Sequence, residues 1–239
     1  MVKVLCIKIH MEELRRLHNS EKRKLIESVA KPGYSVLDVG CGFGGDLQKW
    51  NGVGVNISMC EPSEEALKEA KSRAKNMKIR VNFYHGDIHA CPNRKYDIIC
   101  YNFALHYIFQ SHGLFMSTLR EIKKRMKPGG MCIGIIPDSE KILFKTPLHD
   151  TYGNFFKMKS TSNGDFGEKL FVHLVDTPYY ADGPKSEPIA HKDLLVTHME
   201  NNGFSMELWE GLSGNPISEL YSKFMFVYRN DNSDRSSGD

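Results

Sequence analysis

The residues best suited to chemistry are carboxylates set around a glycine-rich turn. Asp38 stands in the apolar run Val36-Leu37-Asp38-Val39, glycines recur at Gly40, Gly42 and Gly44, Asp46 follows them, and Glu61 lies 23 residues beyond Asp38. Glycine lets a backbone turn sharply and approach a ligand where a Cβ would intrude. An ionised carboxylate is acceptor-only, so Glu61 at the end of a second strand can receive both hydroxyls of a ribose. Glu61-Pro62-Ser63 also suits the first turn of a helix, and Asp87 in Gly86-Asp87-Ile88 would equally cap a turn. No Gly-Lys-Ser or Gly-Lys-Thr closes the glycine stretch, which removes support for ATP or GTP hydrolysis. Dinucleotide oxidoreductases use a similar turn and acid, so this pattern alone leaves them open.

Such residues need a strand before the turn and a helix after it. Helical spacing runs over residues 12–29, with Leu14, Leu17, Leu25, Ile26 and Val29 facing inward, and Lys31-Pro32-Gly33 ends it. Strands are expected at residues 35–39, 53–60, 81–84, 96–100 and 131–136, and helices at 46–50, 63–73 and 114–126. That alternation predicts an α/β fold with a mostly parallel twisted sheet and helices on both faces. Further on, residues 170–174 read as a strand, 192–201 as a helix, and 206–208 and 224–228 as late antiparallel strands. The stretches 154–167 and 179–188 read as polar loops. The organisation expected is a segment 1–31 carrying a substrate-side helix, a core 32–229 with acceptor loops, and a polar tail 230–239.

At 239 residues, 41% hydrophobic and 26% charged, the chain can bury one substantial core. Its net charge is only +3, but residues 1–31 hold eight Lys or Arg against four Glu, and residues 120–127 form a second basic run. These suit either a polyanion or solvated helix faces. The six cysteines, at 6, 41, 60, 91, 100 and 132, show no metal-ligand spacing and read as reduced residues of an intracellular protein. No metal, no membrane span and no secretion signal are expected.

The form Leu37-Asp38-Val39-Gly40-Cys41-Gly42 resembles S-adenosylmethionine-dependent methyltransferases with a Rossmann-like class I fold. Gly44-Gly45-Asp46-Leu47-Gln48-Lys49-Trp50, Phe103-Ala104-Leu105-His106-Tyr107, and Lys127-Pro128-Gly129-Gly130 leading to Ile135-Ile136-Pro137-Asp138-Ser139 resemble the mRNA cap guanine-N7 methyltransferases, including those of large DNA viruses. The likeness extends more loosely from Asn19 to about Val227. It implies S-adenosylmethionine as methyl donor and N7 of a 5′ cap as acceptor, with no metal. Lys22, Asp38, Gly40, Gly42, Gly44, Asp46, Glu61, Asp87, Ile88, Asn102 and Phe103 would hold the donor, with Lys22 near the methionine carboxylate and Asp87 at the adenine amine.

The same resemblance gives Asn19, His106, Tyr107, Glu187 and Tyr221 to the acceptor and Arg73 to a cap phosphate. Glu187 would accept from guanine N1–H and the exocyclic amine. Guanine N7 carries a free lone pair and no proton, so no residue is assigned as acid, base or nucleophile. The sequence departs from the family at Phe43, where Lys is common, at Asn102 for Gln, and at Pro188 where an aromatic is frequent. The implied partners are 5′-capped RNA and a guanylyltransferase or triphosphatase domain or protein. The implied location is a cytoplasmic viral transcription site for a viral protein and the nucleus for a cellular one. A methyltransferase for a small molecule would keep the donor residues without the cap-facing ones, and a noncatalytic RNA-binding or stimulatory subunit would keep only the fold.

Overall fold

A computed structural model of the chain describes residues 11–145, 151–152, 155–158, 165–172, 182–183 and 185–229. Helix α1 (Met11–Val29) leads into β1 (Ser35–Val39), and the glycine turn joins β1 to α2 (Leu47–Val53). There follow β2 (Asn56–Glu61), α3 (Glu64–Asn76), β3 (Val81–His85), β4 (Tyr96–Asn102), a 3₁₀ segment Leu105–Gln110, α4 (His112–Arg125) and β5 (Met126–Pro137). Helix α5 (Ser139–Lys145) precedes four short strands, β6 (Thr151–Tyr152), β7 (Phe155–Met158), β8 (Lys169–Val172) and β9 (Lys185–Pro188). Helix α6 (Lys192–Asn201), β10 (Phe204–Gly211) and β11 (Tyr221–Tyr228) complete the order.

The seven-stranded sheet runs β10-β11-β5-β4-β1-β2-β3, with β1 to β5 mutually parallel. Strand β11 is antiparallel to both β5 and β10, so it alone is reversed within the sheet. The order turns about β1, with β2 on one side and β4 on the other, and a ligand crevice opens at such a switch point beyond the strands' carboxyl ends. Period-two alternation assigns the core. Val36, Ile98 and Ile57 pack with Trp50 and Leu47 on one face, while Leu37, Ile99 and Cys60 pack with Phe109, Phe115 and Leu119 on the other. No described helix is long and apolar enough to cross a membrane.

Several expected boundaries move. The second strand starts at Asn56 because α2 runs to Val53 and Gly54 ends it with φ +79°. Helix α4 ends at Arg125 and its successor strand begins at Met126. Residues 170–174 were expected as one more strand; residues 169–172 form β8, which joins β6, β7 and β9 in a second, antiparallel sheet. Strands β7 and β9 thus fall within stretches whose polarity reads as loop. Of the late pair only β11 is reversed. Residues 1–10 and 230–239, with Cys6, lie outside the described residues.

Candidate functional site

The glycine turn holds its shape for three different reasons. At Gly40, φ +71°, an added Cβ would meet the Ala104 methyl at 2.6 Å, so the turn can lie against the end of β4 only without a side chain. At Gly42, φ +51°, an added Cβ would face open space; the demand there is for the left-handed backbone itself. At Gly44 an added Cβ would strike Leu47 and Ala70, which seats α2 against α3. Gly42 donates its amide to Glu61 Oε2 at 2.9 Å, and Ser63 donates to Glu61 Oε1 at 2.9 Å. Glu61 therefore braces the turn while each oxygen keeps a second lone pair. Ser63, not Glu61, caps α3 by accepting from the Ala66 amide.

Beside the turn lies a dense charge cluster. Lys22 of α1 and Lys49 of α2 reach Asp46 Oδ1 at 2.8 and 2.6 Å, and Asn102 donates to Asp46 Oδ2 at 3.0 Å. Lys49 also donates to Asn19 Oδ1 at 2.9 Å and to the Gly45 carbonyl. Burial pushes the Asp46 pKa up, but the two ammonium groups overcome it and hold the carboxylate below its usual range. Asp38 moves the other way. Burial, and then repulsion from Asp46, raise it, against the Trp50 indole N–H donated to Oδ2 at 3.0 Å and the pull of the lysines. Two cations thus share one firmly ionised carboxylate, with Asp38, raised to about 7, beside them. Asn102 Oδ1 is buried without a hydrogen-bond partner among the described residues. Two ammonium groups and an orphaned acceptor fit the carboxylate and ammonium of an amino-acid moiety.

A second group lies across the mouth of β4. His106 and Tyr107, on the 3₁₀ segment, stack at 4.2 Å, and both meet Glu187 of β9. The Tyr107 hydroxyl donates to Glu187 Oε1 at 3.2 Å; His106 Nε2 stands 3.2 Å from Oε2, off the hydrogen-bonding direction. His106 and Glu187 are only 2% and 7% exposed. Tyr221 at the start of β11 is buried, and burial followed by the Glu187 charge raises its hydroxyl pKa. Its ring packs edge-on against Phe103 at 5.2 Å and His18 at 5.3 Å. Phe103 has φ +60°, a left-handed backbone that a bulky side chain adopts only under constraint, and its amide is tied to the Ile135 carbonyl at 2.8 Å. His18 contacts Ser218 Oγ through Nε2 at 3.0 Å, and burial with the Lys22 charge lowers its pKa to about 4.

The structure thus brings together Lys22, Asp46 and Asn102, and separately His106, Tyr107, Glu187 and Tyr221. Two of the expected residues touch the other group. Asn19, expected at the acceptor, is tied to Lys49 in the charge cluster; Phe103, expected at the donor, packs into the aromatic group, with Lys22 Nζ 5.8 Å from its ring. The Ile88 side chain is core, 1% exposed, which leaves only its backbone for a ligand. Asp87 caps the turn Ile88–Ala90 through Oδ1, which accepts from the His89 amide and faces the His89 ring at 3.0 Å. The Gly86 amide donates to the Glu61 carbonyl, which keeps Asp87 on the same edge. Arg73 is paired with Glu69 at 2.8 Å on the exposed side of α3 and joins neither group. Lys49 and Trp50, quoted only as part of the run 44–50, and His18 were given no site role from the sequence. The Asp46 and Lys49 spacing of three, one face of a helix, was the available signal. Nothing in the sequence pointed to His18. Among the described residues no cluster of three His, Cys, Asp or Glu could hold a metal ion.

Comparison with known proteins points the same way. Residues 8–177, more than half of the chain, match the family model of the mRNA (guanine-N(7))-methyltransferase domain. That match ends before Glu187 and Tyr221. The mRNA cap guanine-N(7) methyltransferase of Saccharomyces cerevisiae is 33% identical over 148 residues, 56% of this chain and 34% of that protein. The enzyme of the same name from Schizosaccharomyces pombe is 32% identical over 146 residues, 55% of this chain and 41% of its own length. The chain therefore covers about a third to two fifths of these relatives. Among solved structures, an S-adenosylmethionine-dependent methyltransferase from Clostridium acetobutylicum superposes with a TM-score of 0.59 at 14% identity, over 89% of this chain and 91% of that one, a likeness of fold.

Proposed function

We propose, since this chain belongs to the mRNA (guanine-N(7))-methyltransferase family, that it transfers a methyl group from S-adenosylmethionine to N7 of the guanine in a 5′ RNA cap. The observation that carries the reading is Glu187, a buried carboxylate flanked by His106 and Tyr107 and separate from the cluster of Lys22, Lys49 and Asp46. S-adenosylmethionine supplies a methyl group made electrophilic by its sulfonium.

This chain's own residues do the positioning. Lys22 and Lys49, anchored by Asp46, attract the methionine carboxylate, and Asn102 Oδ1 accepts from the ammonium. Glu61 takes the ribose hydroxyls on its remaining lone pairs, and Asp87 the adenine amine through Oδ2. On the acceptor side Glu187 accepts from guanine N1–H and the exocyclic amine, which leaves N7 unshared. Guanine gains positive charge as N7 is methylated, and a carboxylate already fixed at its opposite edge stabilises that charge without reorganising. No proton has to leave N7, so the acceleration comes from orientation in a shielded pocket. His106 and Tyr107 act through Glu187, as positioning residues. Guanylyl transfer to form the cap falls to another domain or protein.

The test is incubation with labelled S-adenosylmethionine and, separately, unmethylated capped RNA, triphosphate RNA, uncapped RNA and small methyl acceptors. The expected result is label at guanine N7 that requires the cap. Transfer only to a small acceptor would replace the acceptor assignment, and neither donor binding nor transfer would leave a noncatalytic protein of this fold.

A further inference from the structure

The sheet's carboxyl edge carries the candidate site, and its opposite edge carries a different chemistry. Each parallel strand starts at that amino edge, where the helix before it ends. Lys31 precedes β1; Lys75, Lys78 and Arg80 lead from α3 into β3; Lys95 precedes β4; Lys123 lies in the last turn of α4 before β5. The strand order β5-β4-β1-β2-β3 sets these six cations in a band about 19 Å long, four strand spacings. Among the described residues none of the six is within salt-bridge reach of a carboxylate; Lys95 bonds only the Met126 carbonyl. The carboxylates of the same edge are already answered: Asp97 by Lys127 at 2.7 Å and by Ser35, Glu121 by Arg125 and Lys124.

The bland explanation is the helix dipole, which favours cations in a last turn. It covers Lys75 and Lys123 but not Lys31, Lys78, Arg80 or Lys95, which sit in the connections. Lys78 even occupies a left-handed position, φ +57°, where glycine is the favoured residue. The asymmetry is large: with a chain net charge of +3, six unanswered cations on one edge leave −3 for everything else.

We propose that this edge is a track for the phosphate backbone of the RNA body behind the cap, so that a transcript is held at its 5′ guanosine on one edge and by downstream phosphates on the other. The proposal rests on the cap-methylating reading above. A single file of cations matches a linear polyanion, and three of the six lie at β3, the outer strand, around which a chain would pass from edge to edge. Strands of five to seven residues separate the two edges by about 20 Å, the length of roughly six stacked nucleotides. A cap dinucleotide cannot reach the band, whereas a transcript can.

The test uses the triple variant Lys75→Glu, Lys78→Glu, Arg80→Glu, with Lys75→Arg, Lys78→Arg as a charge-preserving control. Binding of an uncapped RNA of about 25 nucleotides, followed by fluorescence anisotropy, should weaken about tenfold in the triple variant, and the slope of log affinity against log salt should shrink by about 2. KM for a capped RNA of the same length should rise about tenfold, with KM for the cap dinucleotide, kcat and the control unchanged. Unaltered RNA binding, as for an edge that docks an acidic protein, would overturn the proposal, as would an equal change with the dinucleotide. If wild type methylates neither capped substrate, the cap-methylating reading fails, and the anisotropy measurement still decides the surface.

Discussion

The half proposed for the donor is built mainly between residues 19 and 61, from helices α1 and α2, the glycine turn and the ends of β1 and β2, with Asn102 added from β4. The acceptor half joins Tyr107 to Glu187 across 80 residues and adds Tyr221 from the last strand. The donor half is held by charge. Asp46 alone collects Lys22, Lys49 and Asn102, and Asp38 is pinned by an indole. The acceptor half is held by ring packing, with His18, Phe103 and Tyr221 in mutual contact, and by two contacts to one carboxylate. The cluster proposed to hold the methyl donor is locally encoded and electrostatically rigid. The group proposed to meet the acceptor is gathered from several elements.

The sharpest way to break that contrast is Asp46→Asn. It leaves two ammonium groups facing a neutral amide, and unpairing a buried charge costs about 3–5 kcal/mol. Chemical denaturation should show a loss of that order and calorimetry should find no donor binding; a variant within about 1 kcal/mol of wild type would mean the donor half is not held by charge. Next, Glu187→Gln should lower kcat/KM for capped RNA about a hundredfold, the loss of a charge-assisted contact worth about 2.7 kcal/mol, with donor affinity within about threefold. Equal losses in both would show that the two halves are not separable.

The smallest effect concerns His18 and is read as a pH dependence. Its folded pKa of about 4 lies below the ordinary imidazole value of 6.5, so the unfolded chain takes up the proton first as pH falls. The stability difference is fully present above pH 6.5 and is lost as pH falls toward 4. Between pH 7 and pH 5 wild type should lose about 2 kcal/mol more than His18→Gln, measured by urea denaturation at both values. Matching slopes in the two proteins would place His18 in water and dissolve the aromatic group as described.

Much of the donor half was legible because its information is local. A strand, alternating glycines and a carboxylate at the next strand's end dictate a crevice whatever else the chain does, and Gly40, Gly42, Asp38 and Glu61 occupy that geometry. The second sheet was not legible. Strand β9 is polar in composition and β7, Phe155-Phe156-Lys157-Met158, is a short apolar run inside a polar stretch, so pairing with β8 rather than periodicity makes them strands. The neighbours of Asn19 and Phe103 were not legible for a related reason. Side by side in sequence terms each fits its expected ligand, but only the path of α1 over the carboxyl edge decides that Asn19 meets Lys49 while His18, one residue earlier, meets Tyr221.

By itself, then, the sequence determined the α/β order and the glycine turn, because strand and helix periods and glycine backbone freedom act within a few residues. The tertiary structure alone decided which lysines share Asp46, that His106 and Tyr107 converge on Glu187, and that scattered cations align on the far edge. Those outcomes depend on strand order and on register between β8 and β9, and contacts between residues far apart in the chain exist only once the sheets have formed.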